Sequence, residues 1–127
     1  MSYTLEVLPD APIIWEVWGE DFDAAVDNAA ITRDIMRILN ASRQQMVIVA
    51  DLRSVQLEWE DIVYLANKAV PPEINQHPRL QKIIVITSDE IVQKAIEGMS
   101  HEAFGAVKFD IVSSPERAMA QARRYLH

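Results

Sequence analysis

Met46-Val47-Ile48-Val49-Ala50-Asp51-Leu52-Arg53-Ser54-Val55 is the stretch that decides the fold. Residues 46–50 are an unbroken apolar run rich in β-branched side chains, which reads as a strand buried on both faces. Asp51 ends the run. Beyond the loop, Leu57-Glu58-Trp59-Glu60-Asp61 reads as an acidic helix start, with carboxylates at the positive end of the helix dipole. Lys82-Ile83-Ile84-Val85-Ile86 repeats the two-faced apolar pattern. Strands of this kind need cover on both sides, so helices are expected to alternate with them around a largely parallel sheet.

The rest of the chain fits that alternation. Residues 3–8 and 13–18 read as two strands joined by Pro9-Asp10-Ala11-Pro12, a short connection that makes them an antiparallel hairpin. Asp21 or Asp23 is expected to cap a helix closed by Asn40-Ala41-Ser42. Its apolar stripe is Phe22, Val26, Ala29, Ala30, Ile31, Ile35, Ile38 and Leu39. The spacing predicts a helix over 59–69 stopped by Pro71-Pro72, a loop over 73–80 and a strand over 82–86. Ser88 is expected to cap a helix ending near Gly98, and residues 107–112 to form a fifth strand. Ser114-Pro115-Glu116 is a cap, a proline at the first helical position and a first-turn acid, opening a last helix to about Leu126. Residues 99–106 read equally as helix or loop, with Gly105 marking a turn. The expected fold is α/β: one domain over 1–127, with a mixed, mostly parallel five-stranded sheet, an N-terminal antiparallel hairpin and about four helices.

Composition narrows the function. At 127 residues, half of them hydrophobic, the chain suffices for one domain with a real core. The net charge of -7 repels phosphate backbones and anionic headgroups, so nucleic acid is not an expected partner. With no cysteine there is no disulfide, thiolate metal site or cysteine nucleophile. No run approaches the ~20 apolar residues of a membrane span. The opening Met1-Ser2-Tyr3-Thr4-Leu5-Glu6 has no basic region or long apolar segment, so a cytoplasmic protein without a signal peptide is expected.

The order of elements, together with Val49-Ala50-Asp51-Leu52-Arg53-Ser54-Val55 and the closing Phe109-Asp110-Ile111-Val112 with Ser114-Pro115-Glu116-Arg117-Ala118, resembles the STAS domain family. Within it, the chain resembles the small bacterial SpoIIAA-like proteins, whose fold is a (β-α)n arrangement shared with CRAL-TRIO lipid-binding domains. The resemblance implies a non-catalytic regulatory module that binds a protein partner. It also implies a phosphoacceptor serine, and that position is Glu60 in this chain, where no phosphoserine ester can form. Glu60 is then either a permanent negative charge, weaker than the ~-1.5 to -2 of a phosphoserine, or simply a helix-start acid worth ~0.3–1 kcal/mol.

Chemistry-bearing clusters are sparse. His77, His101 and His127 lie far apart in sequence, and none has a neighbour at metal-ligand spacing. His101-Glu102 is the one acid–base candidate among them. Three glycines do not make a phosphate-cradling loop. No metal, cofactor or catalytic residue is expected, and the protein is read as not an enzyme. Asp51 sits at the carboxyl end of a central strand, where open α/β sheets bind ligands; the competing reading is an acid that holds the 52–55 turn. In strand 13–18, Ile13, Trp15 and Val17 share one face, and Ile14, Glu16 and Trp18 the other. Because Trp18 shares a face with Glu16 and Trp59 lies between two glutamates, at least one of them is expected at the surface. The candidate partner surface is Trp18, Asp51, Ser54, Glu58, Trp59, Glu60 and Asp61. The alternative reading is a small apolar-ligand or lipid binder with a cavity lined by Met36, Met46 and Met99, since methionine adapts to variable shapes. Should helices leave part of one sheet face bare, a second subunit in a homodimer or an apolar ligand is expected to complete the core; an unrecognised enzyme ranks third.

Overall fold

The computed structural model describes residues 2–99 and 107–126. Strands β1 (Tyr3–Val7) and β2 (Ile13–Trp18) form the expected antiparallel hairpin. Helix α1 (Ala24–Ala41) leads to β3 (Met46–Asp51), and α2 (Trp59–Lys68) with the short α3 (Pro72–Asn75) to β4 (Leu80–Ile86). Helix α4 (Glu90–Met99), β5 (Phe109–Val112) and α5 (Pro115–Tyr125) complete the fold. The sheet is mixed, in the order β1-β2-β3-β4-β5, with every pair after the first parallel.

Sequential order has a consequence for layering. Each crossover steps one strand in the same direction, so right-handed connections put α1 to α4 on one face of the sheet. The packing agrees. Ile14, Ile48, Ile83 and Val85 pack with Ile31, Ile62, Leu65 and Ile96 of the helices. On the other face, Ile13, Val47, Val49, Ile84 and Ile86 pack with Ala118 and Ala122 of α5. Alanines suit that contact because they let the single helix lie close to the β-branched strands. Helix α5 contacts β3, β4 and β5. Beyond it, β2 leaves Trp15 and Val17 half-buried beside exposed Thr4 and Glu6 of β1.

A polar cluster fixes α5 in place. Asp110 of β5 accepts hydrogen bonds from Gln121 Nε2 at 3.0 Å and from the Tyr125 hydroxyl, and Lys82 Nζ lies 3.4 Å from its other oxygen. Burial pushes the Asp110 carboxyl up, but the Tyr125 and Gln121 hydrogen bonds and the Lys82 charge hold it below its usual range. Tyr125→Phe is expected to lower stability by about 1–2 kcal/mol, since the hydrogen bond it removes ends on a charged acceptor. A urea melt with an unchanged midpoint would show that Gln121 and Lys82 suffice.

Several local expectations are corrected. Among the described residues there are five helices, because residues inside the expected 73–80 loop fold into α3, with Pro72 at a first-turn position that needs no N–H. Strand β4 starts two residues early, at Leu80, and β5 is shorter than 107–112. Asp23 rather than Asp21 caps α1, accepting from Val26 N–H at 3.0 Å. The acceptor at the start of α4 is Asp89, not Ser88: its Oδ1 takes the Ile91 and Val92 N–H groups at 2.9 and 3.2 Å. Val26 leaves the α1 stripe for solvent, while Asp27 and Asn28 take buried places. They can do so because both are bonded: Asp27 accepts from Asp23 N–H at 2.7 Å, and Asn28 donates to the Lys68 carbonyl at 3.1 Å. The calls on residues 100–106, Gly105 and His101-Glu102 included, and on His127 lie outside the described residues.

Candidate functional site

The residues of the expected surface do not come together. Trp18, at 6 % exposure, is buried on the face covered by α1 to α4, with its ring stacked on Phe22 at 4.0 Å between centroids. Asp51 pairs in register with Val17, so it points to the opposite face, the one under α5. A sheet therefore separates two members of the proposed cluster, and neither is a surface group. Of the two tryptophans of which at least one is expected at the surface, Trp59 is the exposed one, and Trp18 is buried together with Glu16 beside it.

Asp51 performs the turn-holding role. Its Oδ1 accepts from the Arg53 backbone N–H at 3.1 Å and from Nε at 2.9 Å, and its Oδ2 from a terminal guanidinium nitrogen at 2.7 Å. Burial pushes this carboxyl up, but the Arg53 hydrogen bonds and charge outweigh it and leave it below the ordinary carboxylate value. Both oxygens are thus committed to the turn. His77 is likewise structural: Nδ1 accepts from Arg79 N–H at 3.0 Å, which leaves Nε2 to face Asn40 Oδ1 at 2.8 Å. Among the described residues, no group of three or more His, Cys, Asp or Glu side chains could hold a metal ion. No described helix is long and apolar enough to cross a membrane.

The start of α2 is a built surface. Glu58 is the N-cap residue, and its N–H donates to Asp61 Oδ2 at 2.9 Å, which satisfies a helix-end donor and sets the helix entry. Asp61 is therefore a capping group, half-buried. Ser54, Glu58 and Glu60 are exposed. Trp59 stands at 68 % exposure on the first turn, and Val63, one turn on, and Tyr64 are also exposed. Ile62 and Leu65 face the core instead. The helix thus carries two apolar stripes, one inward and one outward, with acids flanking the outward one.

A second feature lies beneath it. Between the sheet and helices α1, α2 and α4 is a cavity of about 90 Å³, lined almost wholly by aliphatic and aromatic side chains. Two polar residues join the lining, Glu16 and Asn28. Glu16 is 4 % exposed; its Oε1 accepts from Trp18 Nε1 at 3.0 Å, and its buried Oε2 has no partner in the protein. Removal from water pushes this carboxyl up to about 7, with the indole hydrogen bond pulling the other way. Glu16 and Asn28 were not on the sequence-derived site. Glu16 shares a face with Ile14 and Trp18, but whether that face is covered is set by the strand order, which the sequence of β2 alone does not carry.

The cavity does not have the methionine lining expected. Met99 borders it, but Met36 and Met46 do not. Met46 opens β3, while the cavity sits further along the strand at Ile48 and Ala50. From α1 it takes Asn28, Ile31 and Ile35, and Met36 is turned about 100° from Ile35 around the helix. No protein-family model matches the chain, and no curated protein matches it.

Proposed function

We propose that this protein is a non-catalytic regulatory module that binds a protein partner through the outer face of α2, in the manner that the STAS and SpoIIAA-like resemblance implies. The observation that carries the reading is Trp59, a tryptophan 68 % exposed on a capped helix start. Tryptophan is enriched among residues that dominate binding energy, and it loses little side-chain entropy when it docks. Val63 extends the apolar strip, and Glu58 and Glu60 give it an acidic rim. The partner that fits has an apolar socket bordered by lysine or arginine. Trp18 and Asp51 are not part of this surface, and Asp61 contributes through the cap. Glu60 serves as a fixed negative charge on the rim.

Tagged protein expressed at native level in its own cells, followed by quantitative mass spectrometry, tests the reading. Wild type is expected to retain a small set of proteins that Trp59→Ala loses at least tenfold, and a retained protein should bind again when both are purified. Equal recovery by the two would end the proposal for this surface.

A second reading, the small apolar-ligand binder, has its own support in the cavity. Its volume of about 90 Å³ exceeds the ~10–15 Å³ that admits one water. It falls short of the ~300–1,000 Å³ of sites for drug-sized ligands, so the ligand would be small. Surface and cavity share α2: Trp59 and Val63 face outward, while Ile62, Leu65 and Ala66 line the cavity. A ligand that fills the cavity would therefore press on the helix that carries the proposed contact.

A further inference from the structure

We infer that Glu16 is the polar anchor of a ligand site, and that the site takes a small, uncharged, largely hydrocarbon molecule carrying one oxygen acceptor, such as a short-chain alcohol, ketone or ester. This inference rests on the apolar-ligand reading and adds the anchoring atom and the head group.

The argument begins with hydrogen-bond supply. Asn28 lines the cavity, and one of its two amide hydrogens goes to the Lys68 carbonyl. Oε1 of Glu16 is taken by the Trp18 indole. Oε2 is buried and unpartnered in the protein. A carboxyl on a cavity lining shared with Ile48, Ala50 and Val85 is uncharged below its raised value of about 7. With Oε1 accepting from the indole, the acid proton sits on Oε2, so Glu16, a residue of the cavity lining, carries one uncommitted O–H donor. A buried donor left unsatisfied is destabilising, and an acceptor oxygen on a ligand relieves that. The Trp18–Phe22 stack holds the indole, and through it the carboxyl, in one orientation before any ligand arrives.

The same chemistry selects among head groups. An anion would meet an apolar lining with no cation among the described lining residues. An ammonium would have to ionise Glu16 and bury an ion pair whose desolvation the aliphatic lining cannot offset. A neutral oxygen requires neither. The rest of the ligand needs only to be apolar and to fit about 90 Å³. Two sources share this chemistry: a free small molecule, and the end of a longer lipid chain.

Titration with 1-butanol, 1-hexanol and 1-octanol, each against the alkane of equal heavy-atom count, tests the site. The readout is the Trp18 indole N–H resonance, assigned by its loss in Trp18→Phe, because that proton lies on the anchoring carboxyl. Each alcohol is expected to shift it saturably and to bind about tenfold tighter than its alkane, the effect of one hydrogen bond. Glu16→Gln keeps a donor and should keep the preference; Glu16→Leu should abolish it and leave alkane binding in place. Affinity that peaks at butanol or hexanol supports a free small molecule, and affinity still rising at octanol supports a lipid chain. Alcohol and alkane binding alike would overturn the Glu16 anchor but leave the apolar-ligand reading standing. No saturable shift with either series would overturn both.

Discussion

Trp18→Ala is expected to lower the stability of this domain by about 3–5 kcal/mol, while Trp59→Ala changes it by less than about 0.5 kcal/mol. The two residues are the same chemical group in opposite settings. Trp18 is 6 % exposed and stacked on Phe22 with an interplanar angle of 6°. Truncation would enlarge a cavity that already exists, forfeit the stacking contact, and leave Glu16 Oε1 without its donor. Against a typical total of ~5–15 kcal/mol, a loss of that size brings the domain near unfolding at moderate temperature. Trp59 is 68 % exposed and outside the core, so its removal takes little apolar area out of contact. Urea melts of both variants make the comparison. A large loss from Trp59→Ala would mean that this side chain supports the fold rather than a contact surface. A small loss from Trp18→Ala would contradict the buried, stacked geometry.

That contrast also shows how far the sequence could be read. The strand Ile13–Trp18 has the boundaries its alternation predicts, and β3 runs one residue past the expected 46–50 to include Asp51. Ser114 caps α5 as its Ser-Pro-Glu context indicated, accepting from Arg117 N–H at 3.2 Å. These features are local: periodicity, capping chemistry and proline geometry act within a few residues. The environment of Glu16 is not local. Whether a strand face meets water or a helix layer depends on strand order, and β2 lies inside the sheet only because β3 pairs on its far side. A glutamate on an alternating strand usually marks the wet face; here the face of β2 that carries Glu16 is the one covered by the helices, and the face of Trp15 and Val17 is the half-buried one. The same limit hid the separation of Trp18 from Asp51, which depends on the parallel register Val17 to Asp51. It hid Asp110 as well, whose partners Gln121 and Tyr125 come from α5, a helix later in the chain.

The stability of the wild-type protein is expected to fall as pH rises from about 4.5 to about 7, by on the order of 3 kcal/mol from Glu16 alone. In the unfolded chain this carboxyl ionises near its ordinary value of 4.5, and in the folded protein burial pushes it up to about 7. Between those values the unfolded state releases a proton that the folded state retains, so higher pH favours unfolding. Below 4.5 both states are protonated and the contribution is whole; above 7 both are ionised and the loss is complete. Asp51 and Asp110 have the opposite sign. Their folded values are lowered from 3.8, so their stabilisation is present above that pH and is lost as pH falls through the folded values. The two windows are separate, which makes the Glu16 effect readable. Glu16→Gln preserves size and a hydrogen-bond acceptor for Trp18 but cannot ionise. Its stability should match that of wild type near pH 4.5 and exceed it progressively up to about pH 7, reaching on the order of 3 kcal/mol. Urea denaturation at half-unit steps from pH 4.5 to 8 decides the matter. Parallel curves for the two proteins would mean that Glu16 is solvated or ionised in the folded state, and the neutral donor on the cavity wall would go with them.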